Sequence, residues 1–534
     1  MNFLPVFSHT IDKINEALDE KAVSFNTLSK IFLIDPGLLY NLFIYVAEKN
    51  TNADIRLIQS CLSIIGEKGI REIITRSKTV LDLDQEFNYL WAYSMLVRIS
   101  AESICSKIGI YEKDTAVLAS LLPVAGILSI YSKNNLIKVL IPLLLKLNTE
   151  DKIFIQEKVF GTNHITEMEI LQPIPEILVK IIYMTGIIFS REGKRLEVMD
   201  NPSRFSESYD IYQLIKMMEL SEAITQSILY PSLIETHERG REYAKKHFQI
   251  PESDFEFLLE EVFSEFDSLC HVMQMSCLSE EILQNAGRFT HRSFSFLTTS
   301  ETFNKELERL YIINREGKNI LIYGEPDVGK RLLLASLLQR HDNPNKNKSF
   351  ISVYCSGINN ENFESELFGA KGGFMGFSKH CGSLDIVKEN GTILLKNIDM
   401  MSIELQERLA KTFFEGFFYK IGDVKPTFFN CRIFMTTRLN PKDSKGISDK
   451  LIKIVNPEVF HIPPLRERRD DIELIANAVI SKYNLPITDE SLFLGLREYY
   501  DNHEFRNNLL DLKRLLFYVS ARNIIASKKV LDNQ

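Results

Sequence analysis

The sequence predicts a multidomain protein: an all-α first half, then an α/β domain built on a phosphate-binding loop, with a small helical lid. Three observations predict it. Apolar residues recur at helical spacing through residues 1–235, and no convincing alternating strand is read before residue 300. An apolar run (Asn319–Tyr323), a glycine-bracketed turn and a helical stretch (Arg331–Leu338) then form a strand–loop–helix unit. From there strand and helix patterns alternate, as a parallel sheet requires. The expected division is a helical domain at 1–235, a helical connector at 236–296, the α/β domain at 297–475 and the lid at 476–534.

At 534 residues the chain has room for two to four domains. With 45% hydrophobic and 25% charged residues it reads as an ordinary globular protein. A net charge of −8 disfavours non-specific binding to nucleic acid or anionic membrane, while leaving a local basic patch open. The 7 cysteines lack CxxC spacing, which argues against a zinc site or a disulfide framework and fits a reducing cytoplasm. The first residues show no basic stretch followed by an apolar run, so no signal peptide is expected. The uncharged stretch Thr115–Tyr131 is short for a membrane span and contains Pro123, so it reads as a buried helix. A cytoplasmic location is the expectation.

In the first half, Asp35 reads as a helix N-cap and Pro36 as the first helical residue. Helical periodicity recurs over Ile55–Ile65, Phe87–Ile104 and Ala116–Tyr131. The segments LSKIFLIDPGLLYNLF, IRLIQSCLSIIGEKGIREII and LWAYSMLVRISAESICSKIG with AVLASLLPVAGILSI resemble, in that order, signatures of the HDOD family. That family is a catalytically silent relative of the metal-dependent HD phosphohydrolases. Where those enzymes carry a His-Asp pair before a glycine, Pro123 and Val124 precede Gly126. No metal and no hydrolysis are therefore expected in this domain. His164, in EKVFGTNHITEMEILQP, matches a family histidine and reads as a loop or surface residue. The resemblance implies a signalling or protein-interaction module.

In the connector, Pro251–Asp254 reads as a capped turn before a helix with Phe255, Leu258, Leu259, Val262 and Phe263 on one face. Cys270 and Cys277 are expected to share a helical face as core residues rather than ligands.

The chemistry-bearing stretch is the loop Gly324, Glu325, Pro326, Asp327, Val328, Gly329, Lys330, Arg331. A glycine turn between a buried strand and a helix exposes backbone N–H groups to an anion, and the lysine reaches the outer phosphates. ATP or ADP is the candidate ligand. Arg331 stands where the pattern usually has Ser or Thr to hold magnesium.

The second half then resembles the AAA+ activators of sigma-54 RNA polymerase, the bacterial enhancer-binding proteins. ILIYGEPDVGK, ESELFGAKGGFMGF, GTILLKNID and IPPLRERRDDI occur in that family's order, over residues 297–520. ESELFG (Glu364–Gly369) and LRERRDDI (Leu465–Ile472) match nearly letter for letter. The resemblance also shows what has changed. Lys396 and Asn397 occupy the positions of the family's magnesium-orienting Asp and water-polarising Glu, with Asp399 as a nearby acid off the strand tip. Ser448 and Ile454 stand at the positions of two trans-acting arginines, Arg438 at a sensor Asn, and Leu510 at a γ-phosphate-sensing Arg, beside a retained Asn508. The implied outcome is nucleotide binding without efficient hydrolysis, a pseudo-ATPase.

The family's loop that reaches sigma-54 appears here as Gly372, Gly373, Phe374, Met375, Gly376, Phe377, more apolar at its tip and suited to docking on a protein surface. No helix-turn-helix is read after the lid segment, so direct sequence-specific DNA binding is not expected. The expectation is a non-catalytic bacterial regulatory protein acting through protein partners, gated by nucleotide. Candidate partners are RNA polymerase with its sigma factor, another AAA+ protein or a signalling complex, in a homo- or hetero-oligomer. Two alternatives stand beside it: a divergent sigma-54-dependent activator with ATPase activity, and a regulatory subunit of a hetero-oligomeric AAA+ assembly.

Overall fold

The computed structural model describes residues 3–19, 24–49, 58–80, 85–108, 113–170, 178, 180–181, 185, 209–248, 250, 252–273, 275–287, 296, 298–339, 350–355, 363–371, 380–442, 445–488, 496 and 505–532. Met1–Thr290, Lys482–Thr488 and Phe517–Gln534 form one compact unit, and His291–Ser481 with Asp489–Leu516 a second.

The first unit is helical. Its long helix Gln85–Ile108 packs on Lys113–Lys133, Tyr209–Leu229 and Glu252–Val272. Lys113–Lys133 is apolar on all sides, and it is buried on all sides. It is also long and apolar enough to cross a membrane, but 83% of its apolar window lies inside the bundle. The Asp-Pro pair behaves as its chemistry dictates. Asp35 Oδ1 accepts the Leu38 N–H at 2.9 Å, capping Pro36–Glu48. Its Oδ2 accepts the Phe7 N–H at 2.8 Å. That second bond anchors a strand that periodicity missed: β1 (Val6–Phe7) pairs in parallel with β2 (Thr79–Val80). Two residues a side leave no alternation to detect. A Cβ on Gly37 would lie 1.9 Å from the Pro5 carbonyl oxygen, so only glycine lets the chain cross here. Complete burial pushes the Asp35 carboxyl up to about 7.

Two expectations need correction, and a third is extended. His164 is not a surface residue: it opens the helix His164–Ile170 and is 2% exposed. Ile165 and Met168 draw that helix into the core, and its backbone lies against Gly126, where a Cβ would come 2.1 Å from the His164 oxygen. Burial pushes its imidazole down to about 3, so it stays neutral. The expected helix Ile55–Ile65 begins, within the described residues, at Ile58. It runs into Ile58–Arg76 through a break at Gly66, which adopts φ 62°. Finally, Cys270 is buried in Glu252–Val272 beside Phe255, Leu258, Val262 and Phe266, but Cys277 is exposed on Ser276–Gly287. The two do not form a shared core face.

The first unit also buries a polar network that the sequence did not reveal. Lys152 Nζ donates to the Tyr93 hydroxyl at 2.7 Å and to Glu222. Thr149 donates to Glu222 at 2.5 Å, and Gln226 Nε2 reaches the Leu147 carbonyl at 2.6 Å. Among the described residues no group of three His, Cys, Asp or Glu side chains could hold a metal ion.

In the second unit the chain alternates strand and helix. In order come β3 (Ile320–Tyr323), β4 (Phe350–Tyr354), β5 (Gly369–Ala370), β6 (His380–Cys381), β7 (Glu389–Lys396), β8 (Phe417–Phe418), β9 (Thr427–Phe428), β10 (Asn430–Thr437) and β11 (Glu458–His461). Five of them form one parallel sheet in the order β11-β3-β10-β7-β4. Alternate residues feed two cores. Leu321, Ile393, Leu395, Ile433 and Met435 face one layer. Ile320, Ile322, Leu394, Phe434 and Phe460 face the other. Burial on both faces explains why β3, β7 and β10 read as continuous apolar runs. β11 was not read because it lies at the sheet edge and only Phe460 is buried. β5 pairs with β6, and β8 with β9, as short antiparallel ribbons. The expected strand Phe350–Ile358 is described only as far as Tyr354, residues 356–362 lying outside the described set.

Candidate functional site: the phosphate loop

The loop connects β3 to the helix Lys330–Gln339. Gly324 takes φ 155° and Gly329 φ 104°, both in the region that favours glycine. A Cβ on Gly324 would stand 2.6 Å from the Ile462 carbonyl oxygen. Val328 is 1% exposed and packs into the core, so it contributes backbone alone to the loop. The first N–H groups of a helix have no intrahelical acceptor, and with the helix dipole they favour an anion at Gly329–Arg331. Lys330 Nζ donates to the carbonyls of Gly324 and Glu325, both at 2.7 Å, which holds the ammonium across the loop. Burial pushes it down to about 8, against the opposing pull of Asp327 and Asp399. Arg331 is exposed.

Not every loop side chain faces a ligand. The Glu325 carboxylate is gripped by Arg466, whose Nη1 lies 2.7 Å from Oε2 and whose Nη2 contacts Oε1. Asn508 Nδ2 donates to Glu325 at 3.2 Å and to the Pro326 carbonyl at 3.0 Å, while its Oδ1 accepts the Leu465 N–H at 2.7 Å. The Leu509 N–H reaches the Asp327 carbonyl at 3.1 Å. Arg468 reaches the Val328 carbonyl at 3.2 Å and pairs with Asp471 at 3.4 Å. Asp471 in turn accepts the Thr299 N–H at 2.6 Å. The LRERRDDI segment is therefore a clamp on the loop, and Asn508 ties the clamp to the loop's backbone.

At the strand tips the sheet brings together residues far apart in sequence. Thr437 is in register with Tyr323, and its carbonyl accepts the Gly324 N–H at 3.3 Å. This puts Arg438 beside the loop. The Asn397 N–H donates to Thr436 Oγ1 at 3.0 Å, with Asn397 itself at φ 53°. Asp399 lies in the short 3-10 turn Ile398–Met400, its carboxylate fully buried. Arg438 Nε donates to that carboxylate at 2.8 Å and the Arg438 N–H at 3.3 Å. Along the sequence, Asp399 and Arg438 are separate features. Their 39-residue separation hid a pair that only neighbouring strands can make.

Of the remaining positions, Ser448 is buried as the N-cap of Asp449–Val455, accepting the Leu451 N–H. Ile454 is half-buried against the core. Both are structural residues. Leu510 is half-buried and apolar. The loop Gly372–Phe377 lies outside the described residues.

A magnesium ion beside a nucleotide is held by carboxylates and a hydroxyl together with the phosphates. The residues present do not fit one. Arg331, Lys396 and Asn397 offer no anionic oxygen, the Asp399 carboxylate belongs to Arg438, that of Glu325 belongs to Arg466, and Asp327, the other acid of the loop, acts on the Lys330 ammonium.

Comparison with known proteins agrees with this architecture. Residues 4–167 match the family model of the HDOD domain and residues 296–449 that of the sigma-54 interaction domain. The chain joins an HDOD domain to a sigma-54 interaction domain. Over 267 residues it is 27% identical to the transcriptional activator RocR of Bacillus subtilis, covering 48% of this chain and 57% of RocR. It is 28% identical to the regulatory protein TyrR of Haemophilus influenzae over 232 residues, 42% of this chain and 70% of TyrR. It is 34% identical to the transcriptional regulator NtrC of Escherichia coli over 168 residues, 31% of this chain and 35% of NtrC. The chain thus spans little more than half of RocR and about a third of NtrC. Among solved structures, NtrX of Brucella abortus in complex with ATP overlaps at a TM-score of 0.37 and 17% identity, over 56% of this chain and 69% of that one, too little for any inference to rest on. The second unit of this chain therefore carries a sigma-54 interaction domain over residues 296–449.

Proposed function

We propose that this protein is a cytoplasmic regulator of sigma-54-dependent transcription whose AAA+ domain holds ATP or ADP at Gly324–Arg331 without efficient turnover. Its HDOD domain serves protein–protein contacts. The reading is supported by the strand tip: Lys396 and Asn397 stand where the resemblance puts the metal and water acids, and the nearby acid, Asp399, is bound by Arg438. Asparagine cannot take a proton from water at neutral pH, and lysine repels the metal that an aspartate would hold. Binding is supported by what the loop keeps, both glycines with their backbone geometry and Lys330 across the turn. The test is an ATPase assay of the purified chain beside Lys330→Ala. Turnover at background in both supports the reading, and turnover that Lys330→Ala abolishes sinks it.

A second reading, a working activator that hydrolyses ATP as a ring, is favoured by the domain match and by relatives named as transcriptional activators. It requires nucleotide-dependent hexamers that bind sigma-54 holoenzyme. Affinity capture from the native cell separates the two by partner: polymerase alone, another AAA+ protein that could supply turnover, or a signalling complex.

A further inference from the structure

We propose that the phosphate loop takes a nucleoside di- or triphosphate without a divalent cation, Arg438 offering guanidinium N–H donors to the phosphates at the place a metal would take. This rests on the reading above that the loop holds a nucleotide.

The observations come from three strand ends of one sheet. β3 delivers Lys330 and Arg331 through the loop. β10 delivers Arg438, fixed beside the loop by the bond from the Gly324 N–H to the Thr437 carbonyl at 3.3 Å. β7 delivers Lys396 and, one turn on, Asp399. Lys330 lies across the loop and Arg438 beside it, Lys396 stands at the tip of the next strand, Arg331 is exposed at the helix start, and Asp327 and Asp399 are the acids that act on Lys330. A polyphosphate entering this field is already matched in sign, with donors that can bind its oxygens directly. A divalent ion entering it meets like charges. It would also have to take Asp399 from Arg438, whose guanidinium binds that fully buried carboxylate by side chain at 2.8 Å and by backbone at 3.3 Å. Asp399 then acts as a positioning residue: it aims Arg438 and keeps it at the loop.

The experiment is calorimetric titration of the full chain with ADP, once in excess EDTA and once in excess magnesium chloride. Affinity in EDTA equal to or higher than that in magnesium is the expected result. Arg438→Gln, at a side chain 40% exposed and so tolerant of substitution, should weaken binding in EDTA by about tenfold or more, the loss of one charge-assisted contact. Circular dichroism confirms that the variant is folded. Binding about tenfold or more tighter in magnesium overturns the inference and leaves the nucleotide reading standing. Equal binding by folded Arg438→Gln and the natural chain overturns the role given to Arg438. No binding in either buffer removes the nucleotide reading and this inference with it.

Discussion

Asn508→Ala is the sharpest probe of how the loop is held. The side chain is fully buried and makes three bonds: from the Leu465 N–H at 2.7 Å, to Glu325 at 3.2 Å and to the Pro326 carbonyl at 3.0 Å. Truncation strands the buried Leu465 N–H, which costs about 1–3 kcal/mol, and removes two donors worth about 1 kcal/mol each. Asn508 also sits at φ 51°, where alanine costs about 1 kcal/mol more than asparagine. The local sum is about 4–6 kcal/mol. Hydrogen exchange read by mass spectrometry reports it directly: protection of peptides covering 324–330 and 463–468 should fall by about a hundredfold or more. Asn508→Gly, which tolerates the backbone, should lose less, by about 1 kcal/mol. The single tryptophan, Trp91, lies in the first unit, so its fluorescence transition should stay where it is. Exchange within about threefold of the natural chain in both loop peptides would refute the clamp as the element that orders the loop.

Other outcomes follow from the first unit. Asp35 has its folded pKa raised to about 7, above its unfolded value, so the folded state binds the extra proton between about pH 4 and 7. Stability relative to Asp35→Asn should therefore fall as pH rises through that window, by at most ~4 kcal/mol, and level off above it, as read by urea melts on Trp91 fluorescence. Lys152→Met leaves the Glu222 carboxylate buried without its cation and should cost ~3–5 kcal/mol in the same assay. The double variant Lys152→Met, Glu222→Leu should recover most of that loss. Gly37→Ala places a methyl 1.9 Å from the Pro5 carbonyl oxygen and should cost ~1–3 kcal/mol by displacing β1.

What was legible in the sequence is what its chemistry encodes locally. The Asp35-Pro36 cap is written in two adjacent residues, and the phosphate loop in six between a strand and a helix. The three central strands read as apolar runs because both of their faces are buried. What was hidden depends on partners distant in the chain. His164 reads as a loop histidine until Gly126 is seen pressed against its backbone. The Lys152–Glu222 pair joins helices 70 residues apart, and neither residue carries a motif. At the site, Glu325 counted as a loop residue facing ligand, and only the sheet's C-terminal edge shows its carboxylate given to Arg466 and Asn508.

That last placement sets what the domain can do. One of the segments that match the sigma-54 activator pattern most closely, LRERRDDI, grips the loop through Arg466 on Glu325 and Arg468 on the Val328 carbonyl, and Asn508 holds the Pro326 carbonyl. Among the positions that depart from it are Lys396 and Asn397 at the end of β7, with Arg331, Arg438, Ser448, Ile454 and Leu510. Phosphates settling on the loop would draw Lys330 from the Gly324 and Glu325 carbonyls, and both of those residues are tied to the clamp or to β10. The occupied and empty loops would then differ in the bonds from Lys330 to the Gly324 and Glu325 carbonyls. A difference in bonding between two states is what a ligand needs in order to shift a population. On the function proposed above, a domain with this wiring would report a bound nucleotide without consuming it.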